Sequence, residues 1–188
     1  PANGFPAVLL VHGGGGTAYP NYVDLWRKKG FAVLAPDWRN CRPAAGANPN
    51  CLTEEMVPPK VSIPLEGGVK TDILANVANL ALANSLLRSM PEVDTNKTVY
   101  VGLSWGSWYG AALAAFDDRF NGYVEIYCAD RNPAARNLVD GRFLPLAKRP
   151  LWWVVGTNDR NVTPESSQTG FRECATFAGC AIGPQLPH

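Results

Sequence analysis

Apolar residues fall along this chain in short continuous runs, separated by segments in which they recur every three or four positions. The runs at 7–11, 31–35, 98–103, 123–127 and 151–155 lack polar alternation, so each predicts a strand buried on both faces. Residues 21–29 predict a helix closed by Gly30, which suits a left-handed cap. The longest helix is predicted over 71–90, with Ile73, Val77, Leu80 and Leu87 on one stripe and Asp72 in the first turn. Small residues at 106–116 predict a further helix, and 164–178 another, with Thr163 as N-cap and Pro164 at its first position. Residues 180–186 predict a last strand. The stretch 40–68 is rich in Pro, Gly and Asn without a period, and predicts a long surface loop. Such strands alternating with helices predict an α/β fold: a mostly parallel sheet covered on both faces, in one domain over 1–188. Ligands of such sheets bind beyond the carboxyl ends of the strands, so the turns that follow strands are where chemistry is expected.

The turn after the run at 98–103 reads Gly102-Leu103-Ser104-Trp105-Gly106 and leads into the small-residue helix. Glycines on either side permit a tight strand-to-helix turn that exposes the Ser104 hydroxyl in a strained conformation. The amide of Trp105 and the helix start then face any negative charge that develops beside that hydroxyl. A serine nucleophile needs a base, and the base needs an orienting acid. The chain holds two histidines, His12 and His188. His12 is committed to the glycine run that follows it. With the order serine, acid, histidine, the acid is Asp159, in the turn after Leu151-Trp152-Trp153-Val154-Val155, and the base is His188. The competing readings are an Asx turn or helix cap for Asp159 and a disordered end for His188.

Two readings compete for His12-Gly13-Gly14-Gly15-Gly16. Gly13-x-Gly15-x-x-Ala18 matches a dinucleotide fingerprint, with Asp37 about 20 residues on as a ribose ligand. In the other reading the glycines form an oxyanion loop, with the amide of Gly14 or Gly15 opposite that of Trp105. Tyr19-Pro20-Asn21 delays the helix that the fingerprint requires, and only the oxyanion reading uses Ser104, Asp159 and His188 as well. It is the preferred one. Trp38, after the second strand, is a candidate platform for a sugar ring or an acyl group, against core packing as the plainer reading.

Composition narrows the classes further. The 188 residues are 46% hydrophobic and 18% charged with a net charge of +1, as in a globular protein with a substantial core. No Lys/Arg cluster points to nucleic acid or an anionic membrane, and no apolar stretch approaches the roughly 20 residues of a membrane span. The chain opens at Pro1-Ala2-Asn3-Gly4, which reads as a processed or trimmed start. Of five cysteines, Cys41 with Cys51 and Cys174 with Cys180 are spaced to bridge in an oxidising compartment, which leaves Cys128 over and leans the reading towards a secreted or periplasmic origin. None has the CxxC spacing of a zinc site, and acyl transfer through a serine implies neither metal nor organic cofactor.

Together, "HGGGGTAYPNYVDLWRKKGFAVLAPDW", "SLLRSMPEVDTNKTVYVGLSWG", "FDDRFNGYVEIY", "LWWVVGTND" and the closing "LPH" resemble the α/β-hydrolase superfamily. Within it the resemblance is to acetyl-xylan-esterase-like, dienelactone-hydrolase-related and prolyl-oligopeptidase-type enzymes. It implies Ser104 as nucleophile, Asp159 as acid and His188 as base, and a small or sugar-attached ester as substrate. Such relatives begin with extra strands and continue past the histidine into a helix, so the sequence looks like the catalytic centre of a longer protein or a reduced form of one. The rival expectations are a prolyl-oligopeptidase-type peptidase, a nucleotide-binding oxidoreductase and a non-catalytic binding module.

Overall fold

The computed structural model describes residues 3–13, 18–38, 72–128 and 142–184, and the side chains from residue 76 onward within the helix that begins at 72. Six strands make one sheet: β1 (Phe5–Val11), β2 (Ala32–Leu34), β3 (Val93–Leu103), β4 (Gly122–Ile126), β5 (Leu151–Gly156) and β6 (Phe177–Gly183). Their order is β2-β1-β3-β4-β5-β6, and every neighbouring pair is parallel. Among the described residues four α-helices lie between them: α1 (Pro20–Lys28), α2 (Asp72–Ser89), α3 (Trp105–Leu113) and α4 (Pro164–Glu173).

Strand alternation divides the core in two. Val8, Leu10 and Val101 point to one face, where Val23 and Trp26 of α1 pack against them. Leu9, Tyr100, Tyr123 and Trp153 point to the other, beneath Val77, Leu80 and Leu87 of α2 and the alanines of α3. Each of these buried aliphatic side chains contributes about 1.5–3 kcal/mol relative to exposure. The expected α2 stripe is thus present at positions 77, 80 and 87, while the Ile73 side chain and the loop expected over 40–68 lie outside the described residues. Gly30 takes φ +87° just past α1, as its reading as a cap requires.

The largest departures from the expected boundaries are at the start of β3 and between α4 and β6. β3 starts at Val93, not 98, because Phe5 pairs with Val93 and Ala7 with Thr98, with a bulge between. Asp94 closes the bulge: one oxygen accepts from the Asn96 amide at 3.0 Å and the other meets Lys97 Nζ at 3.1 Å. α4 ends at Glu173, not 178, and β6 begins at Phe177. The Thr163 hydroxyl caps α4 by accepting from the Ser166 amide, as expected. Beyond Cys174, however, the chain gains more by pairing with β5 and placing Phe177 against Trp153 and Phe171, with ring centroids 5.8 and 5.3 Å apart. This also settles one cysteine pair: Cys174 and Cys180 are free thiols, one buried at the end of α4 and the other inside β6. Cys41 and Cys51 lie outside the described residues.

The chain leaves β1 towards β2 on one side and returns through β3 on the other, so the sheet's switch point lies between the carboxyl ends of β1 and β3. The turns at Gly13 and Ser104 meet there.

Candidate active site

Ser104 is held at φ 53°, ψ −114° between β3 and α3, a left-handed backbone that costs a non-glycine residue on the order of 1–3 kcal/mol. Its neighbours leave no alternative. A Cβ on Gly102 would stand 2.6 Å from the Ser107 amide nitrogen, and one on Gly106 would overlap the Val11 carbonyl oxygen. The Ser104 amide donates to the Ile126 carbonyl at 2.8 Å, and the Ser107 hydroxyl bonds to the carbonyls of Gly102 and Ile126 at 2.7 and 2.6 Å. The turn is therefore tied to β1, β3 and β4 at once. Trp105 opens α3, so its amide belongs to the first turn, where helix amides have no acceptor within the helix.

Gly13 arrives on the other side of the serine. A Cβ on Gly13 would lie 3.1 Å from Ser104 Cβ and 3.7 Å from its Oγ, which places the bare Gly13 backbone beside the hydroxyl. Gly14 and Gly15 lie outside the described residues, as does His188.

Asp159 follows β5 at the same rim and is buried, at 4% exposure. Its Oδ1 accepts from the amides of Asn161 and Val162 at 2.7 and 2.9 Å, the Asx-type turn that its position suggested. Tyr127, just beyond β4, lies close enough that the Asp159 charge, after burial and ahead of Tyr22, raises its phenol above the usual value. With φ 61°, it is one of three described non-glycine residues at positive φ, alongside Ser104 and Tyr19. All three lie just past the carboxyl end of a strand or the loop that follows it, and such strain clusters at functional sites. Sequence reading counted Tyr127 only as the last residue of the strand at 123–127; its place at the carboxyl end of that run was the available signal.

His12 is buried at 1% exposure. Its Nδ1 lies 2.7 Å from the Gly13 carbonyl and its Nε2 3.1 Å from Asp37 Oδ1. Asp37, the ribose ligand of the dinucleotide reading, is thus bonded to this histidine. Trp38 stacks on the His12 ring at 5.4 Å, donates Nε1–H to the His12 carbonyl at 2.8 Å and meets Tyr109 edge-on. It is partly buried as a brace on His12, while Trp105 is an exposed indole at the rim.

A model of the alpha/beta hydrolase family matches residues 8–166, through both the glycine run and the serine turn. The chain belongs to this family. Solved structures agree on the fold of this alpha/beta hydrolase. A putative dienelactone hydrolase from Klebsiella pneumoniae is 18% identical with TM-score 0.69, over 100% of this chain and 77% of that one. An acetyl xylan esterase from Paenibacillus sp. R4 is 16% identical with TM-score 0.66, over 99% and 70%. An acylaminoacyl peptidase from Pyrococcus horikoshii is 14% identical with TM-score 0.70, over 97% of this chain but 33% of its own. No curated protein sequence matches this alpha/beta hydrolase. Among the described residues no helix is long and apolar enough to cross a membrane, and no group of three or more His, Cys, Asp or Glu is placed to hold a metal ion.

Proposed function

We propose that this alpha/beta hydrolase is a serine esterase that works by two-step acyl transfer. Ser104 is the nucleophile, His188 the base and Asp159 the acid that orients it. Ser104 Oγ bonds to the ester carbonyl carbon as His188 takes its proton. The tetrahedral oxyanion is held by the amides of Trp105 and of Gly14 or Gly15. The alcohol leaves with the proton from His188. Water then attacks the acyl-enzyme, giving its proton to the imidazole, and the acid departs as Ser104 is restored. The whole sequence draws on side chains and backbone of a single domain.

The observation that carries this reading is the strained Ser104 backbone with the bare Gly13 backbone against its hydroxyl. Likeness to a dienelactone hydrolase and an acetyl xylan esterase favours small or sugar-attached esters over larger ones. A peptidase reading has support from the acylaminoacyl peptidase, of which this chain spans about one third. Hydrolysis of p-nitrophenyl acetate compared with a proline anilide separates the two. A fluorophosphonate probe is expected to label Ser104, and Ser104→Ala to lose both label and turnover. A folded protein that stays unlabelled, or is labelled elsewhere, overturns the esterase reading.

A further inference from the structure

The acyl-transfer mechanism assigns nothing to Tyr127, yet this residue is tied to the nucleophile turn through its own peptide. The Ile126 carbonyl accepts from the Ser104 amide at 2.8 Å and from the Ser107 hydroxyl at 2.6 Å. In the same peptide unit the Tyr127 amide donates to the Val154 carbonyl at 3.0 Å. One rigid plane therefore joins the serine turn to β5, and the Tyr127 side chain leaves the backbone next to it. Along the carboxyl edge of the sheet Ser104 follows β3, Tyr127 follows β4 and Asp159 comes after β5, so Tyr127 stands between nucleophile and acid.

Tyr127 has a left-handed backbone at φ 61°, a conformation that glycine adopts freely and an aromatic residue does not. A tyrosine kept there at a cost points to a use for its side chain. The residue is half-buried, and its phenol is close enough to Asp159 and to Tyr22 for both to act on it. Tyr22 lies in the first turn of α1 at 47% exposure. Tyr19 braces it: the two rings meet edge-on at 5.4 Å, and the Tyr19 carbonyl accepts from the Tyr22 amide at 2.9 Å. Two phenols carried by separate elements are thus neighbours at the rim beside the serine.

In acyl transfer the alcohol leaves with a proton from the base. Asp159 orients that base, so the alcohol departs on the Asp159 side of Ser104. Gly13 and the first turn of α3 lie towards the oxyanion instead. We propose that Tyr127, with Tyr22 beside it, forms the subsite for the leaving alcohol and selects a hydroxylated ring, that is, a sugar. The inference rests on the esterase reading and adds to it the residues that choose the alcohol. An aromatic face packs against the C–H face of a sugar ring. A phenolic oxygen donates one hydrogen bond and accepts others, so it serves sugar hydroxyls even while bonded to the protein. A purely apolar ring strips water from both phenols and returns no hydrogen bond.

The test uses the full chain and two acetates that share one acyl group. Glucose acetylated at its primary hydroxyl presents the sugar; cyclohexylmethyl acetate presents a ring of the same size without hydroxyls. The wild-type protein is expected to favour the sugar ester by about tenfold or more in kcat/KM. Tyr127→Phe keeps the ring and removes the hydroxyl, and is expected to lower that ratio by roughly three- to tenfold. Tyr22→Phe, at a more exposed position, is expected to lower it by about twofold, and it decides the matter if Tyr127→Phe does not fold. A residue that only supports the fold lowers both rates together and leaves the ratio where it was. A wild-type ratio near one, a ratio that the deciding variant does not move, or phenyl acetate outrunning the sugar ester each overturn the proposal. So does a protein that takes the fluorophosphonate label on Ser104 but cleaves none of these esters. A wild-type protein that neither cleaves an ester nor takes the label overturns the esterase reading instead.

Discussion

Asp117 and Glu125 are both buried carboxylic acids, eight positions apart in the chain, and the fold treats them in opposite ways. Asp117 lies between α3 and β4 with its oxygens fully engaged. Arg119 reaches both, through Nε at 2.8 Å and a terminal nitrogen at 2.7 Å; Asn84 of α2 adds a bond at 2.9 Å, and the Arg119 amide another at 3.1 Å. Burial pulls its proton affinity upward, but the Arg119 and Asn84 bonds outweigh this and hold the carboxyl below its ordinary value. Glu125 sits in the middle of β4 at 0% exposure, and neither oxygen has a partner among the described residues. Its register partner Trp153 leaves Nε1–H equally unpaired. Across from it lies the bare backbone of Gly110, where a Cβ would stand 2.6 Å from Oε1. Burial alone drives the Glu125 carboxyl well above its ordinary value, because a dry site disfavours the charged form. A planar guanidinium at the edge of the fold makes a charged carboxylate tolerable; deeper in, between Tyr100, Tyr123 and Cys174, retaining the proton is the less costly outcome.

The strongest challenge to this contrast is Arg119→Met, which strands a buried charge and is expected to cost about 3 kcal/mol in denaturant unfolding. An unchanged midpoint would mean that the network around Asp117 is ornamental. Next in size is the pH dependence. Folded Glu125 keeps a proton that the unfolded chain releases above the ordinary value of 4.5, so stability falls as pH rises beyond it, by on the order of 1 kcal/mol per pH unit. Glu125→Gln is expected to flatten that slope above the ordinary 4.5. Asp117 acts with the opposite sign: its contribution is present above its ordinary 3.8 and disappears on acidification. The smallest effect concerns the rim, where strain takes the place of buried charge. Ser104→Gly relaxes the φ 53° backbone and is expected to raise stability by about 1 kcal/mol while ester hydrolysis is lost. A less stable glycine variant would show that the turn stores no strain.

The sheet and the serine turn were legible because the signals were local. Continuous apolar runs admit few structures other than buried parallel strands, and Gly102 and Gly106 announce contacts that exclude a methyl group. Boundaries governed by distant partners were not legible. The end of α4 depends on Phe177 meeting Trp153 and Phe171, and the start of β3 on a bulge opposite β1. Trp38 was read as a candidate platform because it follows a strand, but its brace on His12 requires knowing that residues 12 and 38 are neighbours. Glu125 carried no warning, since one acid within an apolar strand reads as an edge or a surface position. Spacing made Cys174 and Cys180 look bridgeable, yet one closes a helix and the other lies within the adjoining strand.

The serine turn is fastened to β1 through Gly106 and to β4 through the Ile126 carbonyl. A growing polypeptide must therefore complete β4, well beyond the serine itself, before the turn at Ser104 gains its last fastening.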